Sequence, residues 1–64
     1  MTAPTMLIIK EPKLSTYHFL WRVILEDGLY QLQRYSKEYS TWVSVNHCQT
    51  EEEPIKLYDQ LEII

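Results

Sequence analysis

Scarcity sets the first limits on this chain. Its 64 residues include one cysteine, Cys48, and one glycine, Gly28. A single cysteine excludes an internal disulfide and a multi-cysteine zinc site. A single glycine leaves no phosphate loop, because Gly28 has no glycine partners, and gives Ser15, Ser36, Ser40 and Ser44 no glycine-flanked nucleophile elbow. The apolar run Met6-Leu7-Ile8-Ile9 is far too short to span a bilayer, and no membrane role is expected. With one reduced thiol and no secretory n-region or long h-region, a cytoplasmic location is expected.

Soft metal ligands are equally scarce. His18, His47 and Cys48 are the whole set, and adjacent His47 and Cys48 point to opposite faces if they lie in a strand. Further ligands at suitable spacing are missing, so no metal is expected. Cys48 as a nucleophile needs a neighbouring base and a thiolate-stabilising setting, and no recognisable dyad is present. The expectation is a non-enzymatic protein with no catalytic residues and no cofactor.

Positive charge is in short supply too. The net charge is −3, a poor electrostatic match to nucleic acid. The distribution is uneven: Glu51, Glu52, Glu53, Asp59 and Glu62 crowd the last segment, whereas Arg22, Arg34 and Lys37 lie in the middle. The triple glutamate could be read as a nucleic-acid mimic or a hard-cation site. A helix amino terminus is sufficient reason for it, and three consecutive carboxylates on a helix point in different directions.

What the chain does have is aromatic and β-branched residues in alternating runs. Two Trp, five Tyr and one Phe argue against disorder. Sixty-four residues make one domain that buries a limited fraction of its surface, a size at which oligomerisation often adds stability. The organising stretch is Tyr17 to Val45. Asp27-Gly28 lies between two alternating runs, residues 17–26 and 29–36, and is the strongest short-range hairpin signal, since a type I′ turn needs positive φ at both central positions. Glu26 then faces Leu29, and the register follows.

That register sorts the side chains onto two faces. Face A carries Leu25 opposite Tyr30, Val23 opposite Leu32, Trp21 opposite Arg34 and Phe19 opposite Ser36. Face B carries Ile24 opposite Gln31, Arg22 opposite Gln33 and Leu20 opposite Tyr35. Face A is nearly continuous in apolar groups and is the expected core side. A third strand, residues 41–47, follows a polar four-residue loop, with Tyr35 opposite Trp42, Gln33 opposite Ser44, Arg34 opposite Val43, Leu32 opposite Val45 and Tyr30 opposite His47.

The flanks are simpler. Residues 1–5 are expected to be loose, and residues 6–10 to form an edge strand or to lie across a sheet face. Glu11 to Thr16 reads as a polar connector. Thr50-Glu51-Glu52-Glu53 fits a capping box and opens a helix over residues 50–62, with Pro54 as the alternative start. Ile55, Tyr58 and Leu61, with Leu57 and Ile64 beside them, form its apolar stripe. So short a helix must bury that stripe, and face A is the natural place. The predicted fold is α+β: a small two-layer domain with a three-stranded antiparallel sheet in β-β-β-α order, a further amino-terminal edge strand as an option, and one carboxy-terminal helix packed on it.

Face B is the functional candidate. Leu20, Tyr35 and Trp42 cluster there with Ile24, Arg22, Gln31, Gln33, Ser44 and Asn46, a composition like that of interface hot spots, which favour Trp, Tyr and Arg. The partner-binding set is Leu20, Arg22, Ile24, Gln33, Tyr35, Trp42 and Ser44. The expected function is stoichiometric protein binding, either self-association as a homodimer or docking on a larger protein. The alternative is a stacking platform for single-stranded nucleic acid, with Tyr35 and Trp42 under the bases and Arg22, Arg34 and Lys37 near the phosphates. The size, the lack of motifs and the helix-on-sheet plan are similar to those of small accessory proteins encoded by phages and other mobile elements. Many of those block a host enzyme or defence complex. The likeness is one of type, and no motif carries it.

Overall fold

The computed structural model describes residues 6–15 and 18–61. Four strands, β1 (Met6–Leu14), β2 (Leu20–Glu26), β3 (Leu29–Ser36) and β4 (Thr41–Cys48), precede one helix, α1 (Glu52–Asp59). The strands form an antiparallel sheet in the order β1-β2-β3-β4, so each pairs with its neighbour in sequence. This is the expected α+β class with one strand more than the predicted three. Met6–Ile9 does not cross face B; it pairs with β2 as the sheet edge. The edge strand also runs on to Leu14, where a polar connector was expected. Its register against β2 shifts between Ile8 and Lys10 and again between Lys10 and Lys13, which leaves Glu11 and Pro12 without cross-strand partners. A proline has no N–H for a ladder, so an edge with a register break is where a strand tolerates it.

The β2–β3 ladder has the expected register from Glu26–Leu29 to Trp21–Arg34. Asp27 (φ 53°) and Gly28 (φ 76°) both have positive φ, as a type I′ turn requires. The ladder ends at Trp21–Arg34, and Leu20 pairs instead with Leu14 of β1. The strand starts at Leu20, later than predicted: His18 and Phe19 are outside it, the expected Leu20–Tyr35 and Phe19–Ser36 pairs are not made, and Tyr17 lies outside the described residues. A turn leads into β2: the Ser15 N–H donates to the Phe19 carbonyl at 2.8 Å, and the His18 N–H to the Ser15 carbonyl at 2.9 Å. His18 takes a positive φ of 65° there.

Between β3 and β4 the register is as expected from Ser36–Thr41 to Gln33–Ser44 and then changes. A bulge sets Leu32 opposite Asn46, Gln31 opposite His47 and Tyr30 opposite Cys48, so the expected Leu32–Val45 and Tyr30–His47 pairs are not made and Asn46, expected on face B, shares the side of Leu32. Val45 is the extra residue, and it is 49% exposed. A bulge inserts one unpaired residue into one strand, and sequence alternation alone does not reveal where.

The helix lies on face A. Val23, Leu32 and Tyr58 form the buried cluster, with Ile9, Trp21, Ile55, Leu57 and Leu61 packed against it. The helix is shorter than the predicted 50–62: it spans Glu52–Asp59, with Glu51 at the cap and no side-chain capping bond, so the Thr50 capping box does not form. Pro54 is the third helical residue, where the amide has no intrahelical acceptor in any case, and its ring is buried. Ile64 and the predicted loose residues 1–5 lie outside the described residues.

Tyr58 ties the helix to the far edge of the sheet. Its hydroxyl donates to the Glu11 carbonyl at 2.6 Å, and the Lys13 ammonium sits 4.0 Å above its ring. Burial raises the phenol pKa above the usual value, with the Asp59 and Glu11 carboxylates adding to the shift. Stability linked to this group is therefore fully present below about pH 10 and lost as pH rises through the higher folded-state value. Tyr58→Phe should lose about 1 kcal/mol at neutral pH with the hydrogen bond. It should also reduce the alkaline loss of stability, measured by urea titrations on either side of about pH 10.

Candidate functional site

Among the described residues no helix lies over face B, yet its centre is dry. Ile24 is 1% exposed and sits between Ile8 on β1 and Gln31 on β3, while Gln31 and Gln33 are 9% and 7% exposed. Buried amides need partners, and these have them. Arg22 Nε donates to Gln33 Oε1 at 2.8 Å, Gln33 Nε2 donates to Ser44 Oγ at 3.0 Å, and Ser44 Oγ donates to Gln31 Oε1 at 2.6 Å. Each member hands a hydrogen to the next, so the chain Arg22-Gln33-Ser44-Gln31 fixes side chains across β2, β3 and β4. Alternation places all four on one face, and the pairs Arg22–Gln33 and Gln33–Ser44 bring them within reach.

The aromatic residues build on this network. The Arg22 guanidinium lies 4.2 Å above the Trp42 ring, and Tyr35 meets Trp42 edge to face at 5.4 Å between centroids. Burial pulls the Arg22 pKa down, and the nearby Glu26 carboxylate opposes the shift. Arg22 Nη2 also approaches Met6 Sδ at 3.8 Å. Around the cluster, Met6, Ile8 and Leu20 remain about two-fifths exposed, at 41%, 40% and 39%. Next to Leu20 and Tyr35 a cleft of about 670 Å³ opens, walled also by Phe19, Arg34 and Lys37. Phe19, just before β2, lies under the guanidinium of Arg34, a face A residue, at 4.6 Å, and so contacts Arg34 at the sheet end.

No protein-family model, curated protein or solved structure matches this chain. The site must therefore be read from its own geometry. The seven residues nominated from sequence share face B but divide into two groups. Leu20 is exposed, and Arg22, Tyr35 and Trp42 are half-buried with accessible surface, so these four can touch a partner. Ile24 and Gln33 are buried beneath them and support the surface without reaching a partner, and half-buried Ser44 links the two amides. Met6 and Ile8 were missed. Their register against Glu26 and Ile24 puts them on face B, but the short run Met6–Ile9 gives no register signal in the sequence.

The remaining reactive groups lie elsewhere. His47 pairs with Gln31 and Cys48 with Tyr30, so the adjacent side chains do point to opposite faces. Among the described residues no group of three or more His, Cys, Asp or Glu side chains is close enough to hold a metal ion. The Cys48 thiol donates to Glu53 Oε2 at 3.2 Å and lies 3.5 Å from Asn46 Oδ1. The Glu53 hydrogen bond raises its pKa above the usual thiol value, and burial and the Glu53 charge push the same way. Cys48 should therefore react with iodoacetamide at neutral pH more slowly than a free thiol, because the thiolate is the nucleophile. Glu53→Gln should move the alkylation midpoint to lower pH, a shift read from rate against pH.

Proposed function

We propose that this chain is a non-enzymatic module that binds another protein stoichiometrically through face B. The observation that carries the reading is the Arg22–Trp42–Tyr35 cluster held over a hydrogen-bonded amide network on the sheet face opposite the described helix. Binding loses affinity when side chains must be ordered on contact, and a surface ordered beforehand avoids most of that loss. Trp, Tyr and Arg are also the residue types that dominate interface energetics. The exposed apolar fringe of Met6, Ile8 and Leu20 extends the contact area around the cluster.

The proposed setting is the cytoplasm of a bacterial cell. The proposed role is blockade of a host enzyme or defence complex by a phage- or mobile-element-encoded protein, in keeping with the small size and helix-on-sheet plan. Self-association of two copies through face B is the other form of the same proposal. The alternative, a stacking platform for single-stranded nucleic acid, is disfavoured by the geometry of Trp42. One ring face is already occupied by Arg22, whose Nε is committed to Gln33. The net charge of −3 weighs the same way, since phosphate neutralisation supplies most non-specific affinity.

The test is affinity capture from bacterial lysate on immobilised wild-type chain and on Arg22→Glu in parallel, alongside a labelled oligonucleotide titration at low salt. Proteins retained by the wild type and lost on Arg22→Glu support the reading. Salt-sensitive micromolar binding of the oligonucleotide, with no protein distinguishing the two matrices, would replace it with the nucleic-acid alternative.

A further inference from the structure

We infer that the outer edge of β4 pairs with the same edge of a second copy, antiparallel, to give a closed dimer with one continuous sheet. This goes beyond the face B reading, because it uses a different surface. The sheet order leaves two edges, β1 and β4, and they are built differently. An exposed edge presents unpaired N–H and C=O groups, and soluble proteins usually guard it with lysine, proline, charge or bulges. The β1 edge has all of these: Lys10, Glu11, Pro12, Lys13 and two breaks in register. By contrast β4, Thr41-Trp42-Val43-Ser44-Val45-Asn46-His47-Cys48, contains no Asp, Glu, Lys, Arg or Pro; its one irregularity is the bulge at Val45, and no described strand pairs with its outer side.

Three features select a second copy as the occupant. Val43 and Val45 are 39% and 49% exposed on this edge, and a two-fold register centred on Ser44 sets Val43 of each copy against Val45 of the other. Such β-branched pairs are favourable cross-strand neighbours. Charge is compatible as well. The acidic helix start lies at the Cys48 end of β4, where Glu53 meets the thiol at 3.2 Å. Antiparallel pairing carries the two Cys48 ends roughly 25 Å apart at about 3.3 Å per residue, well beyond the screening length of about 8–10 Å. Finally, with the β1 edge blocked, pairing at β4 uses up the open edge of the described sheet. The assembly closes as a two-fold dimer and does not continue as a fibre. Both copies of face B end up on the same side of the joined sheet.

The experiment is size-exclusion chromatography with light scattering from low micromolar to near-millimolar chain, on the wild type, Val45→Lys and Arg22→Glu. The wild type should approach twice the 7.7 kDa chain mass as concentration rises. Val45→Lys, which brings two cations to the seam from an exposed position, should stay at the single-chain mass with an unchanged circular dichroism spectrum. Arg22→Glu should dimerise like the wild type, so loss of face B binding and loss of pairing are separable. Amide hydrogen exchange should show extra protection on β4 in the concentrated wild type alone. A wild type that remains at single-chain mass throughout, or a Val45→Lys dimer as tight as the wild type's, overturns the proposal.

Discussion

Val23→Asp should abolish cooperative folding. Val23 is fully buried, faces Leu32 across the central hairpin and packs against Tyr58 of the helix. A carboxylate there has no partner, and an unpaired buried charge is among the few changes that destabilise by about 4 kcal/mol or more. A chain of this size has roughly 3–10 kcal/mol of stability in total at about 0.05–0.15 kcal/mol per residue. Urea titration followed by far-ultraviolet circular dichroism should show no sigmoidal transition. The contrast is Tyr39→Asp, at the tip of the β3–β4 turn and 71% exposed, which should shift stability by no more than about 0.5 kcal/mol. A cooperative transition in Val23→Asp close to that of the wild type would mean that face A is not the core.

The second large effect concerns binding. Trp42→Ala and Arg22→Glu should each weaken capture of the protein partner by at least about thirtyfold, equivalent to about 2 kcal/mol at a hot-spot residue. Both positions lie on face B and neither belongs to the Val23–Leu32–Tyr58 cluster, so both variants should remain folded. Removing Trp42 deprives Arg22 of its stacking surface and Tyr35 of its edge contact. Arg22→Glu removes the donor to Gln33 Oε1 and reverses the charge presented to the partner. Isothermal titration against the captured protein, with thermal unfolding of each variant as the control, measures both consequences.

The sheet was legible in the sequence where local chemistry dictates geometry. Asp27-Gly28 set a turn that only positive φ satisfies, and the β2–β3 pairing from Glu26–Leu29 to Trp21–Arg34 follows from it. Where no glycine marks a left-handed residue, sequence reading loses accuracy. His18 at φ 65° and Ser40 at φ 53° complete turns that composition does not announce, although the Ser36–Thr41 pair brackets the four-residue loop that the sequence predicts. The bulge at Val45 was invisible for a related reason: alternation suggests a face but does not say where one residue is inserted. Pro54 pointed to a helix start, and its place as the third helical residue reconciles it with Glu51 as the cap.

The site was legible as a face and illegible in depth. Alternation correctly grouped Leu20, Arg22, Ile24, Gln33, Tyr35, Trp42 and Ser44 on one side of the sheet. It did not show that Gln31 and Gln33 become buried by bonding through Ser44, because that depends on side-chain lengths and rotamers, not on period. The same network makes Ile24 a floor for the surface. Met6 and Ile8 joined face B only because β1 pairs with β2, a long-range choice that no local signal fixes.

Hydroxyl-radical footprinting of the chain, alone and with its captured protein, tests the two-sided account most directly. The account predicts that Trp42, Tyr35, Leu20 and Met6 lose reactivity on binding, while Tyr39 at the turn and Leu57 on the helix do not change. Protection at Leu57 with Trp42 unaltered would contradict it and move recognition to the helix side.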